Sequence, residues 1–125
     1  MRRISVTLTE AQIVAQSKRV TRRMGWEKLL PGMHLQPVRK AMGLRKGEVQ
    51  VRIGGPIAVT GVQREPLRRM LDDQKYGRRE CDLEGFPEMS PEEFVDMFCK
   101  SHKGCTPETL ITRIEFDYVR GDAIE

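Results

Sequence analysis

The chain has 125 residues, enough for one domain with a core of its own and too few for two ordinary ones. Lys and Arg number 22 against 18 Asp and Glu, a net charge of +4 that by itself implies only a soluble surface. No apolar run approaches a membrane span, Met1-Arg2-Arg3 leads into alternation rather than a signal core, and three cysteines are an odd set for a disulfide framework. These features exclude membrane-spanning and disulfide-scaffold classes and predict a cytoplasmic protein with reduced thiols.

Taken in chain order, Ile4, Val6 and Leu8 alternate with Ser5 and Thr7, which predicts a half-buried strand. Thr9 followed by Gln12 has capping-box spacing and predicts a short helix through Ala11, Ile13 and Val14 to about Ser17. Lys18 to Arg23 has the character of a second strand, with Arg19, Thr21 and Arg23 on one face and Val20 on the other. Pro31-Gly32 marks a turn before the apolar-bearing segment Met33 to Val38. Val49, Val51 and Ile53 follow Lys46-Gly47, Gly54-Gly55-Pro56 breaks the chain, and Ile57 to Val62 reads as another strand. Leu67, Met70 and Leu71 predict a helical turn or two, and Asp72 to Arg79 is expected as an exposed, mobile loop.

Ser90-Pro91-Glu92-Glu93 is the sharpest local signal: a Ser cap, Pro at the first helical position, and Glu three residues after the cap. Phe94, Val95, Met97 and Phe98 give that helix its buried face. Thr112, Ile114, Phe116 and Tyr118 alternate as a final strand. Five or six strands with two main helices, and neither repeats nor low-complexity tracts, predict one α+β domain over residues 1–125 built on a small mixed β-barrel with flanking helices.

Charge is unevenly placed. Through Arg52 the chain holds Arg2, Arg3, Lys18, Arg19, Arg22, Arg23, Lys28, Arg39, Lys40, Arg45, Lys46 and Arg52 against Glu10, Glu27 and Glu48 alone. Such a half offers phosphates a surface, so RNA, another single-stranded nucleic acid or a nucleoside is the expected partner. Arg19, Arg22 and Arg23 are candidate phosphate forks beside Lys18, and Trp26 either stacks on a base or anchors the core. The run also sets Lys18 three residues before the hydroxyl of Thr21. Because residues three apart on a strand face opposite ways, Lys18 reaches Thr21 only from a helix-to-strand turn. There a lysine can take the hydroxyl proton if desolvation or neighbouring cations lower its pKa. Otherwise Thr21 is a strand residue and Lys18 a helix-capping cation.

The order of strand, short helix, Lys18-x-x-Thr21-x-Arg23, Pro-Gly turn, strands, Glu84-Gly85-Phe86, capped helix and final strand resembles an ASCH domain, a PUA-like barrel, over nearly the whole chain. It is most similar to small single-domain members of the sort often encoded by phages. The family's motif is Gly-x-Lys-x-x-Glu-x-Arg, and here Gln16 and Thr21 stand at the Gly and Glu positions. An amidohydrolase branch that deacetylates acetylated cytidine likewise carries Lys-x-x-Thr-x-Arg and a later glutamate, which Glu84 matches best. The resemblance therefore implies RNA or nucleotide binding in a basic cleft, with Lys18 as base, Thr21 as nucleophile and Glu84 as orienting or proton-shuttling group if the domain is that amidohydrolase. A ribonuclease using the same lysine is a third reading. No cofactor is implied.

Cys99, His102 and Cys105, with Cys81, have the residue types of a tetrahedral zinc site at an irregular spacing, and the thiols are expected to be apolar packing groups with no metal bound. His34 is expected to be a structural or solvent-facing residue.

Overall fold

The computed structural model describes residues 1–120. In chain order the elements are β1 (Arg2–Ser5), α1 (Glu10–Val14), β2 (Val20–Arg23), β3 (His34–Val38), β4 (Ile57–Pro66), α2 (Arg69–Asp72), α3 (Gln74–Glu84), α4 (Pro91–Ser101) and β5 (Leu110–Tyr118). The strands form one mixed sheet in the order β1-β3-β4-β5-β2, with β1 parallel to β3 and the other pairs antiparallel. Among the described residues no helix is long and apolar enough to cross a membrane.

The sheet is open, and the closed barrel expected from the sequence is not formed: β1 and β2 are its edges. Each edge strand is only four residues long and has one partner. A side chain spans part of the gap instead, since Arg23 Nη2 donates to Ser5 O at 2.7 Å.

Alternation buries two apolar clusters. Ile4, Ile13, Leu35, Ile57, Val59, Ile114 and Phe116 belong to one. Leu67, Met70, Cys81, Phe94, Val95, Phe98 and Ile111 form the second, under the helices. The cap of α4 is as the sequence predicts: Ser90 Oγ accepts from Glu93 N at 3.1 Å, and Glu93 Oε1 accepts from Ser90 N at 2.9 Å.

Three local expectations are corrected. Thr9 makes no side-chain cap, and α1 stops at Val14, because Gln16 turns into the left-handed region at φ 58°. Val49 to Ile53 forms no strand; the segment contributes one bridge, Arg52 to Val38. Asp72 to Arg79 is not a loop but the end of α2 and the first half of α3, capped by Asp73 accepting from Tyr76 N at 3.1 Å. That helix escapes an apolar-periodicity reading because its buried residues include Glu80 and Glu84.

Candidate functional site

The turn after α1 places Lys18 ahead of β2, off the strand, as an approach to the Thr21 face requires. From there its ammonium reaches the C-terminus of α3, donating to Glu84 O at 2.7 Å and to Glu84 Oε1 at 2.9 Å. Arg19 N donates to Leu83 O and Gln12 Nε2 to Gly85 O, so three neighbouring carbonyls at this helix end are satisfied from the α1–β2 segment. Gly85 closes the helix at φ 97°, and a Cβ there would lie 2.9 Å from Gln12 Cγ, which is why the chain carries glycine at this contact.

Lys18, Thr21, Arg22, Arg23 and Glu84 line one cavity of about 270 Å³, together with Ser5 to Thr9, Phe86, Phe94, Met97, Phe98, Ser101 and His102. Its floor is polar: Lys18, Thr21, Arg22 and Glu84 are all buried. One wall is aromatic. Phe94, Phe98 and His102 follow one another at four-residue spacing on α4 and its cap, with ring centroids 6.3 Å and then 4.2 Å apart, and Phe86 lies 6.2 Å from Phe94. The exposed Leu8 and Ser101 and the half-buried His102 mark the mouth.

The floor's electrostatics follow from burial and pairing. Desolvation pushes the Lys18 ammonium below the ordinary lysine value; Glu84 opposes this, and Arg23 and Arg22 add to it. Burial also lowers Arg23, whose Nε donates to Thr21 Oγ1 at 3.1 Å. No hydrogen bond joins Lys18 to Thr21 among the described residues; each faces the cavity through its own partner.

Arg22 has a different position from the one its place in the basic run suggests. Its Nη2 donates to Glu80 Oε1 at 2.7 Å, Tyr76 Oη at 3.2 Å and Glu65 Oε2 at 3.3 Å, and its Nη1 to Glu84 Oε2 at 3.3 Å. Arg113 faces it directly across the β2–β5 ladder, and Glu80 bridges the two cations, accepting from Arg113 Nε at 2.5 Å and from Nη2 at 3.0 Å. Arg22 is thus the hub of a carboxylate cluster under the cavity floor, with little capacity left for a phosphate. Burial alone raises Glu80, yet its bonds to Arg113 and Arg22 hold it below the ordinary carboxylate value. The hydroxyl of Tyr76 is pushed up to about 12 by burial and by its hydrogen bond to Glu65.

Two other candidates lie away from the cavity. Arg19 is exposed and pairs with Asp117 at 2.6 Å. Trp26 packs against the first apolar cluster with the Arg2 guanidinium 3.6 Å from its ring centroid. Sequence reasoning took Phe94 and Phe98 as core residues and missed that they wall the cavity; the four-residue spacing Phe94, Phe98, His102 was the available signal.

Cys81 is buried on the inner face of α3, while Cys99 and Cys105 approach each other, Sγ to Sγ, at 3.5 Å. Burial raises the Cys81 and Cys99 thiols to about 11 each. Among the described residues no three His, Cys, Asp or Glu side chains are grouped to hold a metal ion. His34 is exposed on β3.

No family model matches the chain, and neither does any curated protein. Among solved structures, the crystal structure of protein EF3133 from Enterococcus faecalis V583, of family DUF984, is similar over 90% of this chain and 73% of that one, with a TM-score of 0.52 and 16% identity. At that identity the likeness concerns the fold alone.

Proposed function

We propose that the chain is an ASCH-type domain of the PUA-like class, its open sheet standing for the barrel, and that its cavity hydrolyses an acyl amide on a pyrimidine nucleoside. The observation that carries this reading is the convergence of Lys18 and Thr21, from the turn into β2 and β2 itself, with Glu84, from the distant end of α3, on one cavity with an aromatic wall. At about 270 Å³ the space lies just under the range of about 300–1,000 Å³ usual for pockets of drug-sized ligands, room for one small ligand and not for a strand of nucleic acid. A polyanion track across the basic half is supported less well, because Arg22 is committed to carboxylates, Arg19 to Asp117 and Arg39 to Glu10.

In this reading the base lies along the wall that Phe86, Phe94 and Phe98 line, and the acyl carbonyl lies at Thr21. Neutral Lys18 takes the Thr21 hydroxyl proton as Oγ bonds to the acyl carbon. The Arg23 Nε–H already donated to that oxygen stabilises the developing alkoxide. When the carbon–nitrogen bond breaks, Lys18 returns its proton to the exocyclic amine, leaving an ester on Thr21. Water then attacks the ester, losing a proton to Lys18, and Thr21 leaves with that proton as the free acid departs. Glu84 holds the lysine in place through two hydrogen bonds. Because burial lowers Lys18, the rate should rise along a basic limb lying below the ordinary lysine value of 10.5.

The test is hydrolysis of acetylated cytidine. Thr21→Ala and Lys18→Ala should each lower kcat/KM by about 10³-fold, and the double variant little further, because residues acting as one unit are non-additive. Hydrolysis intact in Thr21→Ala removes the nucleophile assignment. A second reading, nucleoside or nucleotide binding without turnover, is favoured by the missing Lys18–Thr21 hydrogen bond. It predicts no turnover by the parent and a loss of affinity of about 1.5–3 kcal/mol in Lys18→Ala.

A further inference from the structure

We propose that His102 accepts a hydrogen bond from a ribose 2′- or 3′-hydroxyl at the cavity mouth, so that the site prefers a pyrimidine ribonucleoside to one lacking those hydroxyls. The inference rests on the reading above that a pyrimidine occupies the cavity.

The tautomer is the first step. His102 Nδ1 lies 2.8 Å from Phe98 O, and a carbonyl oxygen only accepts, so Nδ1 carries the hydrogen. The neutral ring then has Nε2 as a bare acceptor, and no hydrogen bond among the described residues uses it. Stacking at 4.2 Å and 22° against the face of Phe98 fixes the orientation of the ring at the end of the aromatic wall. Thus the last ring of the wall is the one that offers a polar atom.

Position supplies the second step. Lys18, Thr21 and Glu84 are buried at the floor, whereas His102 is half-buried beside the exposed Ser101 and Leu8. In a pyrimidine nucleoside the exocyclic amine and the sugar-bearing nitrogen are at opposite ends of the ring. A base lying along this wall with its acyl amine at Thr21 therefore projects its sugar toward the mouth. Sugar hydroxyls are donors, and the Ser101 hydroxyl hydrogen is already given to Met97 O at 2.8 Å. The imidazole Nε2 is left as the acceptor that matches them.

The experiment is calorimetric titration of the parent and of His102→Phe, which keeps the stack and removes the nitrogen, with cytidine and with 2′,3′-dideoxycytidine. The parent should bind cytidine about three- to tenfold more tightly, the worth of one net hydrogen bond, and His102→Phe should bind both alike. An equal affinity in the parent, or a preference that survives in His102→Phe, overturns the role of His102 alone. Absence of any pyrimidine binding by the parent overturns the nucleoside reading and this inference together. Should His102→Phe fold poorly, the imidazole nitrogen resonances of the parent decide: cytidine should shift Nε2 and dideoxycytidine should not, and an unmoved Nε2 in cytidine-bound protein counts against the contact.

Discussion

Gln16 holds φ at 58°, a left-handed conformation that costs a side-chain-bearing residue about 1–2 kcal/mol. The turn it makes delivers Lys18 to the end of α3. Glycine adopts that conformation without the steric cost but loses more freedom on folding, so Gln16→Gly should stabilise the fold by about 0.5–1 kcal/mol. Denaturant melts of the pair measure this; a destabilised Gln16→Gly would mean that the side chain makes a compensating contact. Arg22 and Arg23, adjacent in sequence, separate in role because successive strand residues face opposite ways. Arg22 enters the carboxylate cluster under α3, and Arg23 bonds Thr21 and Ser5. Nothing in the spacing of the basic run distinguishes a cation bound for carboxylates from one bound for a ligand; the partners come from residues 65 to 84.

Among the elements, α3 departs furthest from ordinary patterning. Tyr76, Glu80 and Glu84 repeat every four residues on its buried side, so the stripe that packs is mostly charged. It tolerates burial because Arg22, Arg113 and Lys18 neutralise it with short, mutually bridged bonds. The same helix needs close approach elsewhere. A Cβ on Gly77 would stand 2.1 Å from Met70 O and 2.7 Å from Pro91 Cγ, so α2 and the start of α4 press directly on its backbone. Gly77→Ala should destabilise by about 3 kcal/mol, since backbone and a proline ring cannot swing aside as a long side chain can. A melt unchanged from the parent would show that the helices separate there without penalty.

At the scale of the molecule, the small net charge conceals a concentrated ionic core. Glu80 is held below the ordinary carboxylate value, so the unfolded chain binds more protons in that window. Its contribution to stability is fully present above about pH 4.5 and is lost as pH falls through its folded value. Lys18 also weakens the fold on acidification, in a separate window that opens below 10.5. Its contribution is present above 10.5 and lost as pH falls through its lowered value. Glu80→Gln should therefore destabilise the protein by about 3 kcal/mol at neutral pH, leaving Arg22 and Arg113 underpaired, and flatten the loss of stability below pH 4.5. An acid-unfolding curve in Glu80→Gln with the parent's slope would place the titrating group elsewhere.

The sequence alone determined the elements whose signals are local. The capping box at Ser90 to Glu93, the alternation of Thr112 to Tyr118 and the strand at Ile57 onward are all present in the structure, because a cap and a period depend on neighbours a few residues away. It also marked Lys18, Thr21 and Glu84 as candidates, and these three line one cavity. Only the tertiary structure decided that Arg22 belongs to a carboxylate cluster, that Trp26 lies under Arg2 against the core, that α3 exists where a loop was expected, and that the sheet stays open. In the first three cases the stabilising partner lies far along the chain, Glu80 being fifty-eight residues from Arg22. A buried charge is stable only beside its counter-charge, and local patterning carries no record of where that counter-charge will be.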